Sequence, residues 1–498
     1  MSEAQILIVG AGPTGLVLAL ALARLGQPFR IIDKAPGPGR ASRAMAVQAR
    51  TLELYRRLGI ADAVLAGGIP VRAVHLREEG AEVAQFSLED FGQGLSPYPF
   101  ALAFPQDDHE RLLVAALEGI GIRVEWNTEL LGFTQDAAGV RARLRQGGAD
   151  SECSAAWICG CDGAHSRVRE ALAPGFPGGT YPQRFYVADV RIAGPFQTDL
   201  TVNLAERGLT LMFPVRSSGM QRLLGLLPER LADQEDLRFE AIQPEVEALL
   251  GIRVEAVNWF STYHVHHRVA AHFRSGRAFI AGDAGHIHSP AGGQGMNTGI
   301  GDALNLAWKL AAVQGGRAAP ALLDSYEAER IGFARSLVRT TDRAFQAMTG
   351  SGGGSRFLRR WLVPRLLPLL TGFVPVRHAF FSTVSQIRIA YPESPLSEGE
   401  GGEVAAGDRM PWVPGAEYDR FDWRLEVHGA LAPALADASQ RLGLAAAAYP
   451  WGEAAQEAGL QRDAAYLVRP DGHVGLAWAN QDPLYLEVYV ARHGLAFR

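Results

Sequence analysis

Gly282-Asp283-Ala284-Gly285-His286-Ile287-His288-Ser289-Pro290-Ala291-Gly292-Gly293-Gln294-Gly295-Met296-Asn297 is the stretch from which the rest of the chain can be read. The apolar residues 278–281 before it predict a strand, and residues 295–313 after it carry the spacing of a long amphipathic helix. A carboxylate, Asp283, thus stands at a strand end, followed by a proline and glycine-rich loop that opens a helix. Glycines at 292, 293, 295, 299 and 301 let backbone N–H groups come close to a ligand, with no Cβ in the way. A helix start gathers unpaired N–H donors and partial positive charge, which suits the electron-rich edge of a heterocycle. Asp283 is expected to accept hydrogen bonds from ligand hydroxyls, so the stretch reads as a cofactor seat.

A second signature lies at the N-terminus. Residues 6–9 are apolar, Gly10-Ala11-Gly12-Pro13-Thr14-Gly15 follows, then a helical stretch to residue 25 and a second apolar run, 29–32, ending at Asp33 and Lys34. Strand, glycine turn, helix, strand and acidic residue at this spacing form the dinucleotide fingerprint in its required surroundings. Gly10, Gly12 and Gly15 allow the tight turn and close pyrophosphate approach, and Asp33 is placed to accept from the adenosine ribose.

Gly-Asp-Ala-x-His-x-x-x-Pro-x-x-Gly-Gln-Gly-Met-Asn resembles the second flavin fingerprint of the class A flavoprotein aromatic hydroxylases, the family of para-hydroxybenzoate hydroxylase, phenol hydroxylase and the polyketide hydroxylases. The resemblance implies that Asp283 binds the ribityl chain of FAD, that Pro290, Gly293 and Gly295 lie against the reacting flavin edge, and that Gly295, Met296 and Asn297 face its N1/C2 carbonyl. Ser42-Arg43-Ala44 with Arg50-Thr51-Leu52-Glu53 is similar to a second family segment, whose arginine, here Arg43, lies near the pyrophosphate. Gln106 matches a glutamine set against FAD. It opens a predicted helix with a capping box, Asp107 with Glu110. Asp162-Gly163-Ala-His-Ser166-Arg-Val-Arg169 looks like the third fingerprint, implicated in FAD and nicotinamide binding, with Arg169 placed to meet a pyrophosphate.

The fold implied is α/β and α+β. A Rossmann-like FAD domain (1–70, 100–180 and 270–345) is interleaved with a β-sheet substrate domain (71–99 and 181–269), a helical connection follows (346–392), and 403–498 form a thioredoxin-like C-terminal domain. The last assignment rests on residues 465–478 around Arg469-Pro470-Asp471-Gly472, which resemble the tail of phenol and polyketide hydroxylases, and residues 392–402 are read as its linker. No cysteine follows Cys161, which excludes thiol redox chemistry there and leaves a structural or dimer-supporting role. The activity implied is hydroxylation of a phenolic or polycyclic ring: NAD(P)H reduces non-covalent FAD, O₂ adds at C4a, and the hydroperoxide transfers oxygen. Baeyer–Villiger oxidation or epoxidation on the same fold, and a flavin-binding redox partner or sensor without turnover, are the rival readings. Location on the expected pocket sheet makes Tyr186, Arg191, Met212 and His264 the substrate-contact candidates.

Composition narrows the field. The 498 residues, 48% hydrophobic and 20% charged, supply a sizeable core and two or three domains. A net charge of −5 gives no support to nucleic-acid binding. Cys153, Cys159 and Cys161 do not have zinc-ligand spacing and read as free buried thiols of a reducing cytoplasm. His264 and His266 fall on one strand face and His267 on the other, so no metal site is expected. The start of the chain has no basic region or cleavage site, and the apolar run 361–376 is broken by three prolines and Arg365, so neither export nor a membrane span is expected.

Overall fold

The computed structural model describes residues 2–39, 44–78, 80–173, 175–205, 208–289, 291–349 and 372–497. Arg43, Pro290 and residues 350–371 lie outside the described residues.

A seven-stranded sheet carries the N-terminal fingerprint. Ser2–Val9 pairs in parallel with Phe29–Ile32 on one side and with Ala149–Gly160 on the other, which in turn pairs in parallel with Ala278–Ile280. The hairpin Thr128–Gln135/Val140–Gln146 joins antiparallel to the start of Ala149–Gly160. The strands are short apolar runs buried on both faces, as parallel sheets require: Ile6, Leu7, Ile8, Ile158 and Ile280 have no exposed surface. Pro13–Arg24 and Gly295–Gln314 pack on this sheet and on each other, touching where Gly299 faces Thr14. A Cβ on Gly299 would stand 2.4 Å from the Thr14 hydroxyl oxygen.

The second sheet has eight strands, ordered His286–Ile287, Val254–Val269, Gly178–Ile192, Met220–Leu226, Gly208–Val215, Leu200–Ala205, Ala73–Glu78 and Ala81–Ser87. All of its strands but His286–Ile287 come from between the pieces of the first sheet, so the two are interleaved along the chain. The helix Gln243–Leu250 covers one face and builds a core with Tyr186, Ala188, Val190, Met212 and Leu223. The opposite face looks towards the three-stranded sheet of Ala46–Val47, Ala101–Ala103 and Ile69–Val71, which Phe213 and Val215 meet.

A third sheet of six strands follows, in the order Val404–Ala405, Glu398–Gly401, Val474–Trp478, Ala465–Val468, Arg424–His428 and Ala445–Tyr449. Residues 392–402, read as a linker, are therefore part of the structure. Glu398 and Gly399 pair in parallel with Leu476 and Ala477, while Tyr391 and Leu396 are buried. Parallel pairing to a buried strand overrides a composition of Glu and Gly that by itself predicts a loop.

Candidate active site

The parallel register brings four strand ends to one level, because Val9 sits opposite Gly160 and Ile32, and Gly160 opposite Ile280. The residues just beyond those ends are Gly10, Asp33, Asp162 and, two residues past Ala281, Asp283. This is the carboxyl edge at which open α/β sheets bind ligands. Residues predicted from three separate sequence motifs are thus gathered along one rim.

Two helices start on this rim without side-chain caps. Pro13–Arg24 has Gly12 as its N-cap, proline at its first turn and no acidic residue there, so its first N–H groups are left for a ligand. A Cβ added to Gly12 would meet nothing within 4 Å, which shows the open cradle in front of the turn. Gly10 closes the turn at φ +102°, and a side chain there would run into the Cys161 carbonyl at 2.3 Å. Gly295–Gln314 likewise lacks a cap side chain, and Gly292 and Gly293 before it take left-handed φ values of 76° and 62°.

Asp33 accepts Ala11 N–H at 2.7 Å and Ala35 N–H at 2.8 Å, which fixes its carboxylate across the turn while keeping lone pairs towards the rim. Lys34 beside it is exposed. One Asp162 oxygen accepts Arg167 and Val168 N–H at 2.7 and 3.3 Å, and the other is buried with no partner among the described residues. Burial raises the Asp162 pKa, so this orphaned oxygen calls for a donor. Asp283 stands exposed at its strand end. These observations fit a dinucleotide-sized, hydroxyl-rich and phosphate-bearing cofactor.

The loop in front of Asp283 is clamped from behind. Asp302, fully buried, accepts Gly282 N–H at 3.0 Å, meets His286 Nε2 at 2.7 Å and accepts from Arg330 Nε at 2.6 Å. Burial alone would raise the Asp302 pKa, yet Arg330 and His286 hold it below the usual carboxylate range. Arg330 goes on to Tyr391 at 2.7 Å and the Thr298 carbonyl at 3.1 Å. The sequence signal for this clamp was an acid buried inside an otherwise apolar helix.

Several expected roles change once side chains are placed. Arg169 is not free to meet a pyrophosphate, because its guanidinium donates to the carbonyls of Ala284 (2.9 Å) and Ala164 (2.8 Å) and stacks 4.0 Å from the Phe176 ring. The Asn297 amide makes all its bonds inside the protein, accepting from Gln48 N–H and Thr51 and donating to Ala46 and Gly293 carbonyls, which leaves only its backbone for a ligand. The Thr14 side chain serves the helix contact with Gly282 and Gly299. Met296 lies 3.4 Å from His109 Nδ1, and Tyr55 OH is 2.7 Å from His109 Nε2. The capping box does not form: Pro105 is the N-cap, and Glu110 instead accepts Gln106 Nε2 and Gly39 N–H, both at 2.8 Å. Glu110 thereby ties the helix start to the loop after Asp33, with Gln106 holding its other oxygen.

Strand parity corrects two of the four substrate-contact candidates, Tyr186 and Met212. Tyr186 and Met212 face the helix Gln243–Leu250, where the Tyr186 hydroxyl meets Thr210 at 3.3 Å and burial raises its pKa. Arg191 and His264 are exposed. The face turned to the rim carries half-buried Leu211, Phe213, Leu226 and Trp259, an apolar surface for a ring system. At one end Arg222 holds Asp189 in a fork, 2.6 and 2.7 Å, with its guanidinium 5.6 Å from the Trp259 ring. Among the described residues no group of three His, Cys, Asp or Glu side chains is arranged to hold a metal, and no helix is long and apolar enough to cross a membrane.

Comparison with known proteins agrees with this geometry. The profile of the FAD binding domain family matches residues 3–341. The chain is 37% identical to 6-methylpretetramide 4-monooxygenase of Streptomyces rimosus, over 80% of this chain and 72% of that protein. It is 33% identical to pentachlorophenol 4-monooxygenase of Sphingobium chlorophenolicum, over 71% and 66% of the two chains. Among solved structures it is similar to an anhydrotetracycline hydroxylase from Streptomyces rimosus, with TM-score 0.79 and 27% identity, covering 99% of this chain and 100% of the other. With its fingerprints on one sheet rim, the chain belongs to the FAD binding domain family, as a class A flavin-dependent aromatic hydroxylase.

Proposed function

We propose that the chain hydroxylates a phenolic or polycyclic aromatic compound, with O₂ and NAD(P)H as co-substrates. The observation that carries the reading is the convergence of two uncapped helix starts and three carboxylates, Asp33, Asp162 and Asp283, on the edge of the sheet, facing an apolar wall. Gly12 and the start of its helix would receive the pyrophosphate, with Arg43 and Lys34 as nearby cations. Asp33 would take the adenosine ribose, Asp283 the ribityl hydroxyls, and Gln106, Asp162 and Gly163 the flanks. Pro290, Gly293, Gly295 and the N–H groups of Met296 and Asn297 would border the isoalloxazine. FAD, when bound, supplies the oxygen activation. The chain's own task is to hold the ring against Leu211, Phe213, Leu226 and Trp259 and to keep water out.

The same reading divides the chain into an FAD part (1–70, 100–180, 270–345) and a substrate part (71–99, 181–269), supported by the two interleaved sheets. It keeps the C-terminal sheet as a thioredoxin-like unit without thiols that supports structure or a homodimer. It also places the protein in the cytoplasm, in keeping with three free thiols.

The test is to screen phenols and polycyclic phenols for stimulated NAD(P)H oxidation and O₂ uptake, then to weigh the product. Gain of one oxygen by an aromatic ring is expected. Coupled NAD(P)H and O₂ consumption that yields a lactone or an epoxide would replace hydroxylation by another oxygen transfer on the same fold.

A further inference from the structure

The helix Val374–Val384 ends against the flavin loop, and its last turn is fixed there by Phe381, which lies over Gly92 where a Cβ would stand 2.5 Å from the ring. Ser385 caps the helix, and the next residue, Gln386, takes a left-handed backbone at φ +63°. Glycine, or else asparagine, suits such a position, because other side chains crowd the backbone there. Gly59, Gly251, Gly443 and Gly494 close the helices Ala49–Leu58, Gln243–Leu250, Pro433–Leu442 and Pro483–His493 in this way, with φ between 57° and 73°. Gln386 breaks that local preference, and it is buried.

Its side chain supplies the compensation. Nε2 donates to Gln294 Oε1 at 2.6 Å and to Thr298 Oγ1 at 2.9 Å. Gln294 answers with its own Nε2, which donates to the Val384 carbonyl at 2.7 Å and to the Gly292 carbonyl at 3.1 Å. A reciprocal pair of buried amides thus joins the helix end to the loop. Gly292 also receives Gln48 Nε2 at 3.1 Å, so the residue at φ +76° is held from two sides. Gln294 and Thr298 flank Gly295, Met296 and Asn297, the start of the helix Gly295–Gln314.

We propose that Gln386 is a positioning residue for the flavin loop: acting through Gln294 and Thr298, it sets the direction in which the first N–H groups of the helix Gly295–Gln314 meet the cofactor. This rests on the reading of the loop as the border of the isoalloxazine. Unpaired N–H donors and the partial positive charge of a helix start favour an electron-rich partner, so they hold the flavin more firmly once it is reduced. A loop without its anchor aims those donors less well and weakens reduced FAD more than oxidised FAD. Glycine or asparagine would relieve the backbone at Gln386, but the first has no amide and the second is one methylene too short.

Gln386→Gly and Gln386→Asn test the role, since both relieve the backbone and both lose the reach. The two-electron potential of bound flavin is measured against a reference dye, with FAD affinity by titration and urea denaturation of the FAD-free proteins alongside. In both variants reduced FAD is expected to lose about tenfold more affinity than oxidised FAD, a potential about 30 mV more negative than in the parent. Gln294→Ala should give a shift of the same sign, and its combination with Gln386→Gly no more than the larger single shift, because the two residues act along one path. Variants that keep the parent's urea transition yet hold no FAD also support the role. A residue that only ends a helix gives the opposite result: the glycine variant is at least as stable as the parent and keeps its potential. A parent protein that takes up no FAD overturns the reading of the loop and this proposal with it. FAD held by parent and variants at one potential overturns the proposal alone.

Discussion

The two halves of the helix Gly295–Gln314 are treated in opposite ways. At its start, no side chain caps the N–H groups and the preceding backbone is made of glycines. Further along, nothing is left open. Lys309 Nζ meets Glu329 at 2.7 Å, Arg469 reaches both Glu329 oxygens at 2.8 Å and Asp471 at 2.6 Å, and Asn305 and Trp308 donate to Asp471 at 3.2 and 3.1 Å. All of these groups are at most 4% exposed. In this helix the buried side chains that tie it to the C-terminal sheet all have partners, whereas the N–H groups at its start are left with spare capacity. Satisfaction of hydrogen bonds thus separates the two uses of polarity within one helix.

The largest test of that contrast is Glu329→Ala. It leaves Lys309 and Arg469 buried without their shared carboxylate and should cost about 3–5 kcal/mol in urea denaturation. A loss under about 1 kcal/mol would mean that the saturated half contributes nothing special. Acid should act next. Burial pushes His109 down to about 3 and His473 to about 4, against about 6.5 in an unfolded chain. Between those values the unfolded state takes up protons that the folded state refuses, so stability is full above about pH 6.5 and falls as pH drops through the window. His109 alone represents on the order of 3–5 kcal/mol. The thermal midpoint should fall from pH 7 to 4.5 and fall less in His109→Phe; equal slopes would remove His109 from the account.

At the cofactor rim, Asp283→Ala should weaken FAD binding by about 1.5–3 kcal/mol, one to two decades. Equal FAD affinity by titration would take Asp283 out of the ribityl site. The smallest effect is expected from Tyr186→Phe, which removes a hydroxyl from the covered face of the second sheet. Stability should change by about 1 kcal/mol or less and kcat/KM for an accepted phenol should hold. A fall in kcat/KM at unchanged stability would return Tyr186 to the pocket.

What could be read from sequence was local. Glycines at fixed offsets, flanked by strand and helix patterns, located Gly12, Asp33, Asp162 and Asp283, and the parallel register then set them on one rim. Long-range choices were not legible. Tyr186 and Met212 alternate with pocket residues, and only the position of the helix Gln243–Leu250 decides which parity is covered. Arg330 reaches Asp302 across 28 positions, so no spacing rule points to it. Glu398–Gly401 has weak strand propensity and becomes a strand because Val474–Trp478 offers it an edge. Asp107 and Glu110 have the spacing of a capping box, but Glu110 accepts the Gly39 N–H from a loop 71 positions away.

The clamp on Asp302 has an entropic side. With Gly282, His286 and Arg330 all fastened to one buried carboxylate, the turn that presents Asp283 is ordered when the chain folds, before any cofactor arrives. The entropy of fixing that turn is met during folding, so the ordering of this one turn is not charged against FAD when it binds.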